Sequence, residues 1–465
     1  MSTPAHQPRP PRTRGAWDRR QAVWIAIASL IVIDLIPFVT GLKKNRLLTI
    51  AIYEGIEGEP LKPLAKRFSS GTGADVQIFE YPYDDLYEQE KNSVAARHGS
   101  PDARFDVILL DDPWLEGLLL GEKGASSAPR LSTLSGPQGD DLADFFPSCL
   151  RVCQHPYCEN QENECSKAYY ALPFVGNTQL LCYREDRSGP PKTWDDVTSR
   201  PNAPGSPLAP NLSYAMRLGP GNSIVTDLIP FFWAADRDSL APLGRADLKP
   251  EIKTALSRIE MLSKETPSFG TRSMDDFDLA VYMADGKASR SIIWAAYAMT
   301  IKNVGSEPDA VKTQFGPLPG VPVLGAWLLA APSNRDNQEL ARQFIAFATG
   351  KEELVRAAAA GNPPPRKSVL DEDFRKLYSE PFANALEQSL DHARPRPRWR
   401  DWKQVELQIG ACLSDLSASL IQPEDALIRI NSRIKPADQP ISGAVASCHE
   451  DRSDSGESHT RQTPH

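Results

Sequence analysis

Residues 47–53 read LLTIAIY, a run that is apolar and β-branched, with one hydroxyl at Thr49 and no charge. Short apolar runs of this kind form strands covered on both faces, as the inner strands of α/β sheets are. Working outward, Glu54-Gly55-Ile56-Glu57-Gly58 is a loop, and residues 60–70 have helical spacing that stops at Gly71 and Gly73. Residues 76–81 give a second strand. Residues 83–97 form an amphipathic helix with Leu86, Tyr87, Val94 and Ala95 on its buried stripe. Residues 105–110 (FDVILL) give a third strand, after which Pro113 opens a helix. Strand and helix alternating over short connections predict a doubly wound sheet.

Further along, residues 136–166 read as a polar, cysteine-rich surface insertion and 168–183 as extended chain. A helix starts at Thr193-Trp194-Asp195-Asp196, and 201–210 is a proline-rich loop. Helical spacing returns at 225–235, 249–264, 273–285, 338–349, 351–360, 381–391 and 402–421. Residues 289–294 and 327–331 read as strands, and 362–365 as a stiff connector. From residue 437 the chain is polar and Ser-rich, a composition expected to be disordered. The sequence holds 465 residues, 41 of them proline, with a net charge of −8. That length allows two or three domains, and the acidity argues against a nucleic-acid groove.

Residues 22–42 are almost entirely apolar, and the tail before them carries Arg9, Arg12, Arg14, Arg19 and Arg20 against one acid, Asp18. A basic flank followed by an apolar run is the pattern of an export signal. Two readings stay open. As an anchor, roughly 20 apolar residues would span a bilayer, although Asp34 and Pro37 interrupt the distal half. As a cleaved signal, the apolar region is 22–33, Pro37 breaks the helix, and Val39-Thr40-Gly41 supplies the small residues of a cleavage site. Both send the chain from Leu42 onward out of the cytoplasm, to the periplasm or the cell surface. Arg19-Arg20 fits a twin-arginine pair, and no cysteine before Cys149 offers a lipid attachment point. In an oxidising compartment, Cys149, Cys153, Cys158 and Cys165 are expected to form two local disulfides; their spacing lacks the paired knuckles of a zinc site.

Open α/β sheets take ligands at the carboxyl ends of their strands, which singles out the loops after the first and third strands. The first carries Glu54, Glu57 and Glu59 where a phosphate would need bare N–H groups or a lysine, so a nucleotide site is not expected; its carboxylates, Glu54 foremost, either accept sugar hydroxyls or form a solvated acidic turn. The second loop is Asp111-Asp112-Pro113-Trp114. Two carboxylates and an indole can grip a pyranose, the acids taking its hydroxyls and the indole its apolar face. Asp112 could equally cap the helix that Pro113 opens, leaving Asp111 to face the ligand. Neighbouring residues on extended chain point to opposite sides, which argues against a glycosidase pair. The chain has no G-x-S-x-G, H-E-x-x-H or phosphate-binding loop.

Residues 168–186 (AYYALPFVGNTQLLCYRED), followed by PPKTWDDV from Pro190, resemble the extracellular solute-binding proteins of sugar ABC transporters, the maltose- and trehalose-binding group in particular. DGKASRSIIW at 285–294, FGPLPGVPVLGAWLLAA at 315–331, NQELARQFIAFAT at 337–349 and GNPPPRKSV at 361–369 are similar to the family's segments in the same order, so the likeness spans about residues 46–436. The resemblance implies a periplasmic-binding-protein-like α/β fold: two doubly wound lobes joined by a hinge of crossover strands. Lobe one would combine 46–167 with 325–380, and lobe two 168–315 with 390–436. It implies that Trp294 stacks on a sugar ring and that Gly325, Ala326 and Trp327 line the cleft, with Ala326 standing where the family has glycine. It also implies that Arg366 faces ligand, with Asn177 and Tyr297 as weaker candidates. Trp294 and Trp327 could instead be core, and Arg366 could cap a helix or pair across the hinge. The expected protein is a monomer without catalytic residues, cofactor or metal. It would capture a small solute, a carbohydrate by its tryptophans, and pass it to ABC permease subunits. A membrane-anchored sensor and a glycoside hydrolase acting through Asp111 are the alternatives.

Overall fold

The computed structural model describes residues 47–121, 128–157, 168–184, 190–199, 214–219, 221–264, 274–304 and 313–434. The segment 22–42, Cys158, Cys165, Cys448 and the tail from 437 lie outside the described residues. Among the described residues no helix is long and apolar enough to cross a membrane.

Eleven strands are present among the described residues: β1 (Leu47–Tyr53), β2 (Asp75–Tyr81), β3 (Val107–Asp111), β4 (Gln154–His155), β5 (Ala168–Tyr169), β6 (Leu172–Val175), β7 (Gln179–Arg184), β8 (Tyr214–Ala215), β9 (Arg290–Trp294), β10 (Thr313–Gly316) and β11 (Trp327–Ala330). They form a five-stranded sheet ordered β2-β1-β3-β11-β6, a four-stranded sheet ordered β10-β7-β9-β8, and the small pair β4-β5. β1 lies between β2 and β3, parallel to both, and its core side chains Leu48, Ile50, Ala51 and Ile52 have no exposed surface. The hydroxyl of Thr49, in the middle of that run, donates to the Arg104 carbonyl at 2.7 Å, and its N–H donates to Asp106 at 2.9 Å, so no polar group is left bare. Both large sheets are mixed: β11 runs antiparallel to β3 and β6, and β7 antiparallel to β9 and β10.

The helices follow their apolar spacing. Helix Leu61–Thr72 buries Leu61, Leu64, Ala65 and Phe68, one face at intervals of three and four, and ends where Gly73 turns left-handed at φ 70°. Helix Trp194–Thr198 starts with a reciprocal cap between Thr193 and Asp196. Residues 136–153 depart from the expected surface insertion. Phe146, Cys149, Val152 and Cys153 are fully buried around the short helix Pro147–Arg151, because their spacing of three and four makes an apolar stripe that the polar neighbours conceal.

Two separate cores result. The first gathers residues from Leu48 through Leu180 and from Leu324 through Ala393; the second gathers Leu181 through Val323 and Trp399 through Ile434, except that Ala295 and Ala298 join the first. Strand β6 and helix Glu380–His392 therefore pack in the first lobe. Among the described residues the chain crosses between lobes near residues 178, 323 and 394, and the crossings are stitched together. Leu324 N–H donates to the Arg394 carbonyl at 2.9 Å, Gly325 N–H to the Asn177 carbonyl at 2.9 Å, and the Thr178 hydroxyl to the Val323 carbonyl at 3.1 Å.

Candidate functional site

The carboxyl ends of β1 and β3 bring their loops to the boundary between the lobes. β11 completes the wall, because its register sets Trp327 opposite Asp111. The Trp327 indole lies flat against Tyr53, the last residue of β1, with ring centroids 4.9 Å apart and planes 10° from parallel. Such a pair contributes roughly 0.5–1.5 kcal/mol beyond its buried area. Trp114 supports it from beneath, 6.0 Å from Trp327 and 4.8 Å from Tyr83, and is only 2% exposed. Trp114 is thus the floor beneath the wall that Tyr53 and Trp327 form.

After Tyr53 the loop turns back on itself. A side chain at Gly58 would place its Cβ 2.0 Å from the Tyr53 carbonyl oxygen, so only glycine fits. Asn362 fastens the turn by donating to the Glu57 carbonyl at 3.0 Å. The consequence is a correction to the expected acceptor: Glu54 is exposed, and Glu57 is the carboxylate turned inward. Asn177, on the first crossover, donates to Glu57 Oε1 at 3.2 Å, while Glu57 Oε2 is buried without a partner. Burial, reinforced by the negative charges of Asp276 and Asp111, pushes the Glu57 carboxyl up to about 8. Its neighbour Ile56 packs on the core of the second lobe, which shows that the lobes are closed over this loop.

From the second lobe, Trp294, Tyr297, Arg217 and Asp276 face this wall. Trp294 ends β9 and rests on Gly325, where a Cβ would lie 2.7 Å from its ring; this close approach explains the glycine. Ala326 needs no glycine, since its backbone contacts are polar: its N–H donates to Asp112 at 3.1 Å and its carbonyl accepts from Asp112 N–H at 2.9 Å. Tyr297 stands close to Tyr53 across the cleft, and burial with the Glu57 and Asp276 charges raises both phenols. Arg217 is committed to acids, pairing with Asp227 and, at 2.6 Å, with Asp276, while its guanidinium carbon stands 6.0 Å from the Trp294 ring centroid.

Asp111 and Asp112 belong to a latch beside the cleft. Arg396, 2% exposed, donates to Asp111 at 2.6 Å and to Asp112 at 3.2 Å, and the Tyr83 hydroxyl donates to the other Asp111 oxygen at 2.6 Å. Asp112 caps no helix: it is the first residue of a tight turn, Asp112–Trp114, and its carboxylate is taken by Ala326 and Arg396. Burial raises the Asp112 carboxyl and Arg396 opposes the rise. Lys403 spans the lobes too, bonding Asp84 at 2.6 Å with its ammonium 4.4 Å from the Tyr83 ring centroid. Behind them the buried Glu406 carboxyl is pushed up to about 7, chiefly by burial.

Arg366 takes its structural alternative. It donates to the Thr349 carbonyl at 3.1 Å and to Asp144 at 3.2 Å, and it covers the Phe145 ring, which ties the connector to helix Gly139–Asp144. Cys149 and Cys153 are buried free thiols, so neither has the expected disulfide; burial raises both. A separate surface groove of about 250 Å³ lies on the second lobe, lined by Trp194, Phe231 and Arg258 among others, and shares no residue with the cleft. Sequence reasoning missed Tyr53, Arg217, Asp276 and Arg396. The alternating Arg394-Pro395-Arg396-Pro397-Arg398 run was the available signal for the last, since extended chain sends alternate side chains to one side.

Comparison with known proteins agrees with this geometry. Residues 63–383 match the family description "bacterial extracellular solute-binding protein". A Sinorhizobium fredii protein named "probable amino-acid ABC transporter periplasmic-binding protein" is 21% identical over 82% of this chain and 86% of its own. A Deinococcus radiodurans "probable ABC transporter-binding protein" is 23% identical over 72% of this chain and 79% of its own. Among solved structures, maltose-bound MalE3 of T. maritima superposes with a TM-score of 0.67 at 21% identity, covering 83% of this chain and 98% of that one. A ribitol-bound ABC transporter solute-binding protein from Agrobacterium radiobacter K84 gives 0.67 at 19% identity, covering 84% and 98%. These likenesses establish the periplasmic-binding-protein fold.

Proposed function

We propose that this chain, which belongs to the bacterial extracellular solute-binding protein family, holds a small carbohydrate between its lobes and delivers it to an ABC permease. One observation carries the reading: the Tyr53–Trp327 aromatic wall stands beside Glu57, a buried carboxylate with one oxygen unclaimed. A sugar ring offers an apolar face to such a wall and hydroxyl donors to such an oxygen. Contacts from both lobes favour the closed form, and closure is the signal a permease can read.

Turnover is not needed for that role. Asp111 has one oxygen on Arg396 and the other on the Tyr83 hydroxyl, and Asp112 adjoins it in sequence. This favours a binder over a hydrolase, whose two carboxyls must flank a glycosidic bond about 5–10 Å apart. The names of the relatives support the permease as partner and a place outside the cytoplasm. In this reading the chain acts as a monomer, and residues 22–42 serve as its signal or anchor. A thermal-shift screen against sugars and amino acids tests the reading. At least one carbohydrate should raise the melting temperature, and Trp327→Ala should abolish the shift. Stabilisation by amino acids alone would overturn the carbohydrate assignment.

A further inference from the structure

The cleft is sealed around carboxylates that outnumber its uncommitted cations. The negative charges of Asp111, from the first lobe, and Asp276, from the second, both bear on Glu57. The two arginines nearest them are already spent, Arg217 on Asp227 and Asp276, and Arg396 on Asp111 and Asp112. Asn177 satisfies only Oε1 of Glu57. A carboxyl group that is 4% exposed, with one oxygen lacking a hydrogen-bond partner, costs free energy until a ligand supplies one. Around it stand the Tyr53, Tyr297, Trp294 and Trp327 rings, whose π faces attract cations as well as sugar faces.

We infer that the ligand carries a primary ammonium group seated on Glu57 Oε2, and that it is an amino sugar. The inference rests on the carbohydrate reading above and narrows it. An ammonium supplies three donors and a positive charge, so it matches both the orphan oxygen and the acidic surroundings, whereas a hydroxyl matches the oxygen alone. An amino acid shares the ammonium but brings a carboxylate, and both arginines that could receive it are committed.

The proton balance follows. In the closed empty protein near neutral pH, Glu57 is mainly the neutral acid, since its carboxyl is pushed up to about 8. A neutral sugar leaves it so. An ammonium holds Glu57 as the carboxylate, and the carboxyl proton goes to solvent. Binding of an amine and of its hydroxyl parent should therefore differ by about one proton per ligand, with more released or less taken up for the amine.

Isothermal titration of the full chain with glucosamine, glucose and lysine, at about pH 6.5 in buffers of different ionisation enthalpy, reads affinity and proton count together. The expected result is glucosamine binding at least tenfold tighter than glucose, the proton difference described, and loss of both distinctions in Glu57→Gln. Circular dichroism and the melting temperature of Glu57→Gln establish that it folds. Glucose binding as tightly as glucosamine, or with the same proton count, overturns the ammonium and leaves the carbohydrate reading standing. Lysine binding while both sugars fail keeps the ammonium on Glu57 and overturns the carbohydrate. Binding of none of the three overturns the inference.

Discussion

Asp111, at the end of β3, and Glu57, in the loop after β1, are both carboxylates nearly sealed from water, at 3% and 4% exposure. Asp111 has both oxygens claimed by fixed donors, Arg396 and Tyr83, while Glu57 keeps one oxygen unclaimed beside an aromatic wall. The first arrangement spends its charge on holding the lobes together at the hinge. The second keeps an oxygen without a partner for something that arrives. The same residue chemistry at two adjacent strand ends thus serves structure in one case and recognition in the other, and the number of built-in donors separates them.

The largest effect should come from breaking the latch. Arg396→Ala leaves Asp111 and Asp112 buried without their cation and should cost about 3–5 kcal/mol in urea unfolding; a loss under ~1 kcal/mol would mean that the pair is solvated in solution. Next is Gly325→Ala, whose methyl would sit 2.7 Å from the Trp294 ring. It should cost about 1–3 kcal/mol and weaken ligand binding by moving Trp294, both measurable on one purified variant.

Glu57→Gln should change stability by about 1 kcal/mol or less at pH 6 and show itself in the pH profile instead. Closure lifts the Glu57 carboxyl from 4.5 to about 8, so the closed form binds the proton more tightly than the open or unfolded chain. That stabilisation is complete below 4.5 and is lost as pH rises through about 8. Wild-type closure should therefore weaken over that window, and the Gln variant should flatten the Glu57 part of the slope in melting temperature. The smallest effect belongs to Glu54→Gln, at an exposed position: within about 0.5 kcal/mol, with ligand affinity unchanged. A tenfold loss of affinity there would exchange the roles assigned to Glu54 and Glu57.

Local sequence carried the sheet and the lobes' shared architecture, because LLTIAIY, FDVILL and the helical stripes encode burial over a few residues. It placed Trp294, Trp327 and the Asp111-Asp112 turn at strand ends for the same reason. It could not choose between Glu54 and Glu57, since the direction of the loop depends on Asn362, 305 residues away. Arg396 was hidden likewise: its partner Asp111 is 285 residues distant, and a basic proline-rich run reads locally as solvated surface. The buried stripe at 146–153 was masked by the acidic helix Gly139–Asp144 that precedes it in sequence.

The central claim is that a small solute is held between the two lobes and favours their closure. Site-specific labels at Ser70, exposed on helix Leu61–Thr72 of the first lobe, and Ser257, exposed on helix Ile252–Ser263 of the second, report that closure as an inter-lobe distance. A stabilising carbohydrate should shift the distance distribution saturably toward a single short-distance population, with the midpoint at its dissociation constant. A ligand that binds at the same affinity while leaving the distribution unchanged would contradict the account.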